Sequence, residues 1–170
     1  MRLIPVLNIL SILITPMSGI MLISAFIDFS YNNDNWVSFF SSAIITLFIG
    51  MSIFLATRGK SNKNLDLRQA FILTTFSWVS VALFGALPFY LSTLNLSFTD
   101  SFFESMSGIT TTGSTILNNI ELSPPGILVW RALLQWLGGI GVIVMALAVL
   151  PMLSIGGMQL FKTENFETPE

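Results

Sequence analysis

Charged and apolar positions in this chain are segregated over tens of residues, not alternated every two to four. Five windows contain no Asp, Glu, Lys or Arg: Leu3 to Ile27, Asn35 to Thr57, Gln69 to Thr99, Ser105 to Ile120 and Ala132 to Phe161. A helix needs about 20 apolar residues to cross a bilayer. Four windows meet that length, and the pattern predicts four spanning helices. The window from Ser105 to Ile120 is too short and is rich in Ser, Thr, Gly and Asn. Irregular polar backbone is tolerated at membrane depth only where protein surrounds it, so this segment is expected to be enclosed. Pro5 and Pro16 fall inside the first window; membrane helices tolerate proline, and local bending is expected there. Arg2 ahead of an apolar run resembles the start of a secretory signal, but the run is too long and no small-residue cleavage site follows it.

Composition agrees with that pattern. Hydrophobic residues make up 53% of the 170 and charged residues 9%, against roughly 25% charged in an average soluble domain; mean hydropathy is +0.79. With neither histidine nor cysteine, the chain cannot form a Ser-His-Asp or Cys-His triad, a thiolate or imidazole metal site, or a disulfide. No pair of the remaining groups forms a recognisable acid and base, and no enzyme and no cofactor are expected. The net charge of −2 and the lack of a basic run exclude a nucleic-acid partner, which needs clustered Lys and Arg. The expected surroundings are the lipid bilayer.

Positive residues beside spans favour the cytoplasm. Arg58, Lys60, Lys63 and Arg68 mark one loop as cytoplasmic, and counting outward from it puts Arg2 and Lys162 on the same side. Asp28, Asp34, Asp100 and Glu121 then fall outside. Arg131 is the exception; next to Trp130 it reads as an aromatic and cationic anchor at headgroup level. The same count requires the short polar segment to enter from outside and return there. It is a re-entrant loop, with both ends of the chain cytoplasmic.

That loop carries the candidate chemistry. Ser97 and Thr99 are candidate N-caps with Asp100 in the first turn, Phe102, Phe103 and Met106 are spaced to bury one side, and Gly108 reads as a C-terminal stop. A short helix over about 99–107 covers about 13 Å at 1.5 Å per residue and ends near the bilayer centre, where its negative dipole end favours a cation. Thr110, Thr111, Thr112 and Gly113 follow. Their backbone carbonyls could replace an ion's water shell, as rings of carbonyls do in potassium channels, and Gly113 can take the positive φ that turns successive carbonyls to one side. A plain polar turn is the alternative for this string, and its place after a capped helix between two full spans argues against that.

From Phe103 through Glu104, Ser105, Met106, Ser107, Gly108, Ile109 and the three threonines to Gly113, the sequence resembles the first filter loop of the Trk/Ktr/HKT potassium transporters. Further matches are Pro125-Gly126-Ile127, Trp130-Arg131, the run from Gln135 to Gly141, Pro151-Met152-Leu153, and Gly156-Gly157-Met158-Gln159-Leu160-Phe161, which resemble the bacterial TrkH/TrkG branch. The resemblance implies an all-α integral membrane fold: two accessory transmembrane helices (1–68), then one helix, pore-loop, helix repeat of a potassium-channel-like fold (69–155). A cytoplasmic segment (156–170) would lead to three further repeats of the same polypeptide. It implies a pore helix at about 99–107, a filter at 110–113 and an inner helix at about 125–150. K+ would be the transported ion, held by main-chain oxygens of Thr110, Thr111 and Thr112 with Gly113 as filter glycine. A homodimer of the full transporter and a cytosolic nucleotide-binding regulatory subunit resembling TrkA are the implied partners, and the bacterial inner membrane the location. One loop cannot encircle an ion, so the chain reads as an N-terminal piece. A homotetrameric channel, or a membrane scaffold with a vestigial loop, are the alternatives.

Several other residues carry two readings. Glu104 either braces the filter, together with Ser107 and Gly108, or attracts the cation directly. Gly138, Gly139 and Gly141 either pack the inner helix closely against its neighbours or let it bend. Trp36 fits an interfacial belt, while Trp78 and Trp136 fall within spans.

Overall fold

A computed structural model of the chain describes residues 3–59, 67–118 and 120–164. Regular structure there is helical: α1 (Ile4–Ser30), α2 (Trp36–Thr57), α3 (Leu67–Gly85), the single turn α4 (Leu87–Tyr90), α5 (Phe98–Ile109), a 3-10 turn (Ile120–Leu122) and α6 (Pro125–Glu164). Four segments are long and apolar enough to cross a membrane: Ile4–Ser30, Trp36–Thr57, Arg68–Tyr90 and Pro125–Val144. These are the four spans that the charge pattern predicts. The inner helix runs beyond 150, through Pro151, to Glu164. At 1.5 Å per residue its 40 residues reach about 60 Å, roughly twice the apolar thickness of a bilayer. Residues 165–170, Arg2, Lys60 and Lys63 lie outside the described residues.

The helices pack through small and hydroxyl-bearing faces. On α1 the buried positions are Val6, Leu10, Ser11, Ile14, Met17, Ser18, Met21, Ser24, Ala25 and Asp28 with Pro5, a stripe at helical spacing. Gly50 of α2 lies so close to Thr15 that a side chain there would meet its hydroxyl at 2.6 Å, and Asn8 Nδ2 donates to Thr57 Oγ1 at 3.0 Å. Such close approach is how membrane helices associate where lipid offers no hydrophobic driving force. The helix continues through Pro16, while the Thr15 hydroxyl donates to Ser11 O at 2.7 Å and the Ser18 hydroxyl to Thr15 O at 2.7 Å. Large apolar side chains face outward instead, including Phe26, Phe48, Phe71 and Ile143, all more than 60% exposed. Patches of that extent mark a surface meant for lipid or for further protein.

One end of the molecule gathers the termini of five helices. Asp28 near the end of α1 bonds Gly126 at the start of α6, Asn35 before α2 bonds Thr93 between α4 and α5, and Ser38 of α2 bonds Leu91 O. Because the end of α4 and the start of α6 lie at that same end, the segment between them enters and leaves on one side. Its far point is reached where Ile109 meets Gly138, about 20 Å along α6 from Pro125 by helix rise.

Candidate functional site

The pore-loop helix forms where its capping residues require it. Ser97 is extended (φ −64°, ψ 161°) and caps α5: its Oγ accepts from Asp100 N at 3.1 Å and lies 2.7 Å from Asp100 Oδ2. That satisfies one of the first-turn N–H groups a helix start leaves open. The helix is slightly longer than expected, ending at Ile109. Its buried side is the polar one: Ser101, Glu104, Ser105, Ser107 and Gly108 are buried together with Ile109, while Phe103 is 44% exposed. Of the three apolar residues expected to mark the buried face, Phe102 and Met106 are partly buried and pack against the core, and the expectation is corrected at Phe103. In a bilayer the polar groups need protein partners and the apolar ones do not. Gly108 is also not the left-handed stop. The left-handed residue is Thr111 (φ 58°), and Gly108 lies against α6, where an added Cβ would stand 3.0 Å from Leu134 Cβ.

After Ile109 the chain turns back on the helix. Thr111 N donates to Gly108 O at 2.9 Å, Thr112 N to Ser107 O at 3.0 Å and Gly113 N to the same oxygen at 3.3 Å. Ser107 grips from the other direction too, its hydroxyl donating to Ser114 O at 2.6 Å. Thr110 Oγ1 donates to Met106 O at 2.7 Å and lies 2.8 Å from Thr112 Oγ1. A β-branched residue at φ 58° is an outlier that costs on the order of 1–3 kcal/mol and clusters at ligand clamps. Gly113 takes the positive φ (76°) expected of it, where glycine avoids that cost. Thr110 through Gly113 are exposed, and among the described residues no hydrogen bond reaches their four carbonyl oxygens.

The returning limb is held by a buried carboxylate. Glu104, 1% exposed, accepts at Oε1 from Thr115 Oγ1 and Ile116 N, both at 2.6 Å, and pairs through Oε2 with Arg131 of α6. Arg131 Nη1 also donates to Thr115 Oγ1 at 3.0 Å. The anchor reading of Arg131 and Trp130 is thus corrected. Arg131 is the counter-ion of a buried glutamate, as intramembrane charges pair with one another. Trp130 is fully buried, its indole N–H donating to Gly85 O at 3.0 Å and its ring edge-on to Phe39. Both sit where α6 packs against α1 and α5, which sequence adjacency could not reveal. Trp136, expected within a span, is 64% exposed on the outer face of α6.

The loop rests on one stripe of α6. Arg131 meets Glu104, Leu134 meets Gly108, Gln135 Nε2 approaches Gly113, and Gly138 meets the Ile109 carbonyl so closely that any side chain there would collide. Positions 131, 134, 135 and 138 share one helix face. Gly139 has open space around it, and Gly141 makes only ordinary contact with Trp78, so of the three inner-helix glycines Gly138 alone is required by close approach. Sequence reading missed Asp28, Asn35 and Gly126 at the end where the helix termini gather; the sole signal was a charge and an amide close to span ends.

Four membrane-crossing helices, with a capped half-membrane helix and a strained loop returning between the third and fourth, define an integral membrane protein with a helix, pore-loop, helix repeat and two helices before it. Residues 37–168 match the TrkH family, described as cation transport protein, and the chain belongs to that family. It is 39% identical over 158 residues to the Trk system potassium uptake protein TrkH of Escherichia coli K12, covering 92% of this chain and 32% of that protein. Over 97 residues it is 56% identical to the Trk system potassium uptake protein TrkI of Halomonas elongata, covering 57% of this chain and 20% of the relative. The crystal structure of the potassium transporter TrkH from Vibrio parahaemolyticus superposes with a TM-score of 0.82 at 35% identity, covering 92% of this chain and 34% of that one. The chain spans about a third or less of the length of these proteins.

Proposed function

We propose that this chain supplies the first quarter of a potassium-selective filter and its inner helix to a transporter for potassium uptake. The observation that carries the reading is that the exposed residues Thr110 to Gly113 have carbonyls that accept no hydrogen bond among the described residues, while the N–H groups at 111, 112 and 113 are turned back onto the pore helix. Backbone oxygens without a donor, at the deep end of a loop that returns to its own side, suit a dehydrated cation. The C-terminal dipole end of α5 adds negative potential there. Glu104 has both oxygens engaged, which favours the bracing role over direct attraction of the ion, with Ser107 and Gly108 as the other supports. Relatives named as potassium uptake proteins support K+ as the ion carried.

In this reading three further repeats complete the ring, two complete transporters form a dimer, and a cytosolic nucleotide-binding subunit regulates flux. The protein sits in the bacterial inner membrane with both ends of this segment cytoplasmic, and ions pass without covalent chemistry or a cofactor. Gly138 positions the pore helix, while Gly139 and Gly141, free of close contacts, leave α6 room to bend. The test is rubidium and sodium uptake by potassium-uptake-deficient cells expressing the completed transporter, with Gly113→Ser beside it. Placing a side chain at φ 76° costs roughly 1–2 kcal/mol, enough to shift the backbone at 112–114 and the spacing of its carbonyls, so uptake and rubidium over sodium selectivity should both fall. Unchanged uptake and selectivity at equal membrane amounts would overturn the proposal.

A further inference from the structure

At the outer end of the molecule a buried polar chain links the accessory helices to the pore repeat, beside the Ser38 bond to Leu91 O. Asp28 and Asn35 are both fully buried. Gly126 N donates to Asp28 Oδ1 at 2.6 Å across 98 residues, Asn35 Nδ2 donates to Asp28 Oδ2 at 2.9 Å, and Thr93 N donates to Asn35 Oδ1 at 3.2 Å. The three bonds run in one direction, from the linker before α5 and from the start of α6 toward a single carboxylate on α1. Pro125 has no N–H, and the N–H groups of Ile127 and Leu128 are both taken by Pro124 O. Gly126 therefore presents the open donor of the first turn of α6, and Asp28 closes it with a charge of the sign that a helix N-terminus favours. Gly126 is needed for the approach, since a Cβ there would collide with the Asp28 carboxylate.

We infer that Asp28, acting with Asn35, is a positioning residue for ion selection: the accessory hairpin fixes where α6 begins, and α6 fixes the loop. This rests on the reading of 110–113 as a filter. Gly126 lies five residues, about 7.5 Å along the helix, ahead of Arg131. A helix transmits a shift of its first turn along its length, and the stripe of Arg131, Leu134 and Gly138 carries Glu104, Gly108 and Ile109. A displaced start of α6 thus alters the spacing of the carbonyls without touching them.

The direction of the bonds makes a sharp test. In Asp28→Asn the new amide faces the amide of Asn35, and no flip repairs both, because a turned Asn35 would face Thr93 N–H with its own NH2. In Asn35→Asp two carboxylates face each other. In the double variant D28N/N35D the pattern closes again: the residue-28 oxygen accepts from Gly126, its amide donates to the carboxylate at 35, and that carboxylate accepts from Thr93. Uptake of rubidium and sodium is measured per transporter, normalised to membrane amount, for the parent, both singles, the double and Gly113→Ser. We expect each single to lower the rubidium over sodium ratio roughly fivefold or more, about 1 kcal/mol, and the double to recover most of it. Singles that lose only membrane amount while keeping the parental ratio would show a merely structural bond and overturn the inference. A double variant that stays at the level of the singles, in ratio or in amount, overturns it as well. If Gly113→Ser leaves the parental ratio unchanged, the filter reading itself fails, whatever position 28 does.

Discussion

Each residue of the Glu104, Thr115 and Arg131 cluster is explicable only with the others present. A carboxylate buried at membrane depth is costly unless paired and hydrogen-bonded; Glu104 has two donors on one oxygen and a guanidinium on the other. Removing one partner of such a pair leaves an uncompensated charge, typically at a cost of about 3–5 kcal/mol, whereas replacing both is often nearly neutral. Arg131→Met should therefore destabilise the protein in detergent strongly, and Glu104→Gln with Arg131→Met should recover much of the loss. Denaturant midpoints of the two single variants and the double give the coupling. Additive losses would mean that the pair contributes nothing as a pair.

At the scale of elements, α6 acts as the bed on which α5 and the returning loop lie, and Gly138 marks its closest contact. Gly138→Ala forces a methyl group against the Ile109 carbonyl, and overpacking of this kind costs typically 1–3 kcal/mol. Gly139→Ala meets open space and removes glycine's helix penalty of roughly 1 kcal/mol. Thermal unfolding should separate the two substitutions in opposite directions; equal effects would remove Gly138 from the contact. The spans and the capped pore helix were legible in the sequence because hydropathy over about 20 residues and a Ser97–Asp100 cap are local signals. Which face of each helix packs was not. The buried sides of α1 and α5 carry Ser, Gly, Asp and Glu as well as apolar residues, so a hydrophobic stripe misassigns Phe103, and the partners of Gly108, Trp130 and Arg131 come from helices distant in sequence. The three inner-helix glycines looked alike as a motif, yet what stands opposite each differs.

For the whole molecule the sidedness of the loop is the decisive property, because a loop that crosses the membrane would put the stretch before α5 and the stretch before α6 on opposite faces. Contacts at the gathered end place Asn32, Asn95 and Leu122 on one side: Asp28 bonds Gly126, and Asn35 bonds Thr93. Leu122 is 83% exposed, and Asn32 and Asn95 both occupy turns at positive φ. The chain contains no cysteine, so single cysteines at these positions report without background. Asn95→Cys and Leu122→Cys should both react with a membrane-impermeant maleimide added to intact spheroplasts, as should Asn32→Cys, whereas Ser61→Cys, between Lys60 and Lys63 of the cytoplasmic loop proposed from the positive charges, should react only after permeabilisation. Labelling of Leu122→Cys and Asn95→Cys from opposite faces would turn the half-membrane loop into a fifth span and leave the four carbonyls without a way to face a shared axis. Labelling of all four sites in reverse would keep the loop and the fold, and would invert the direction from which the proposed filter is approached.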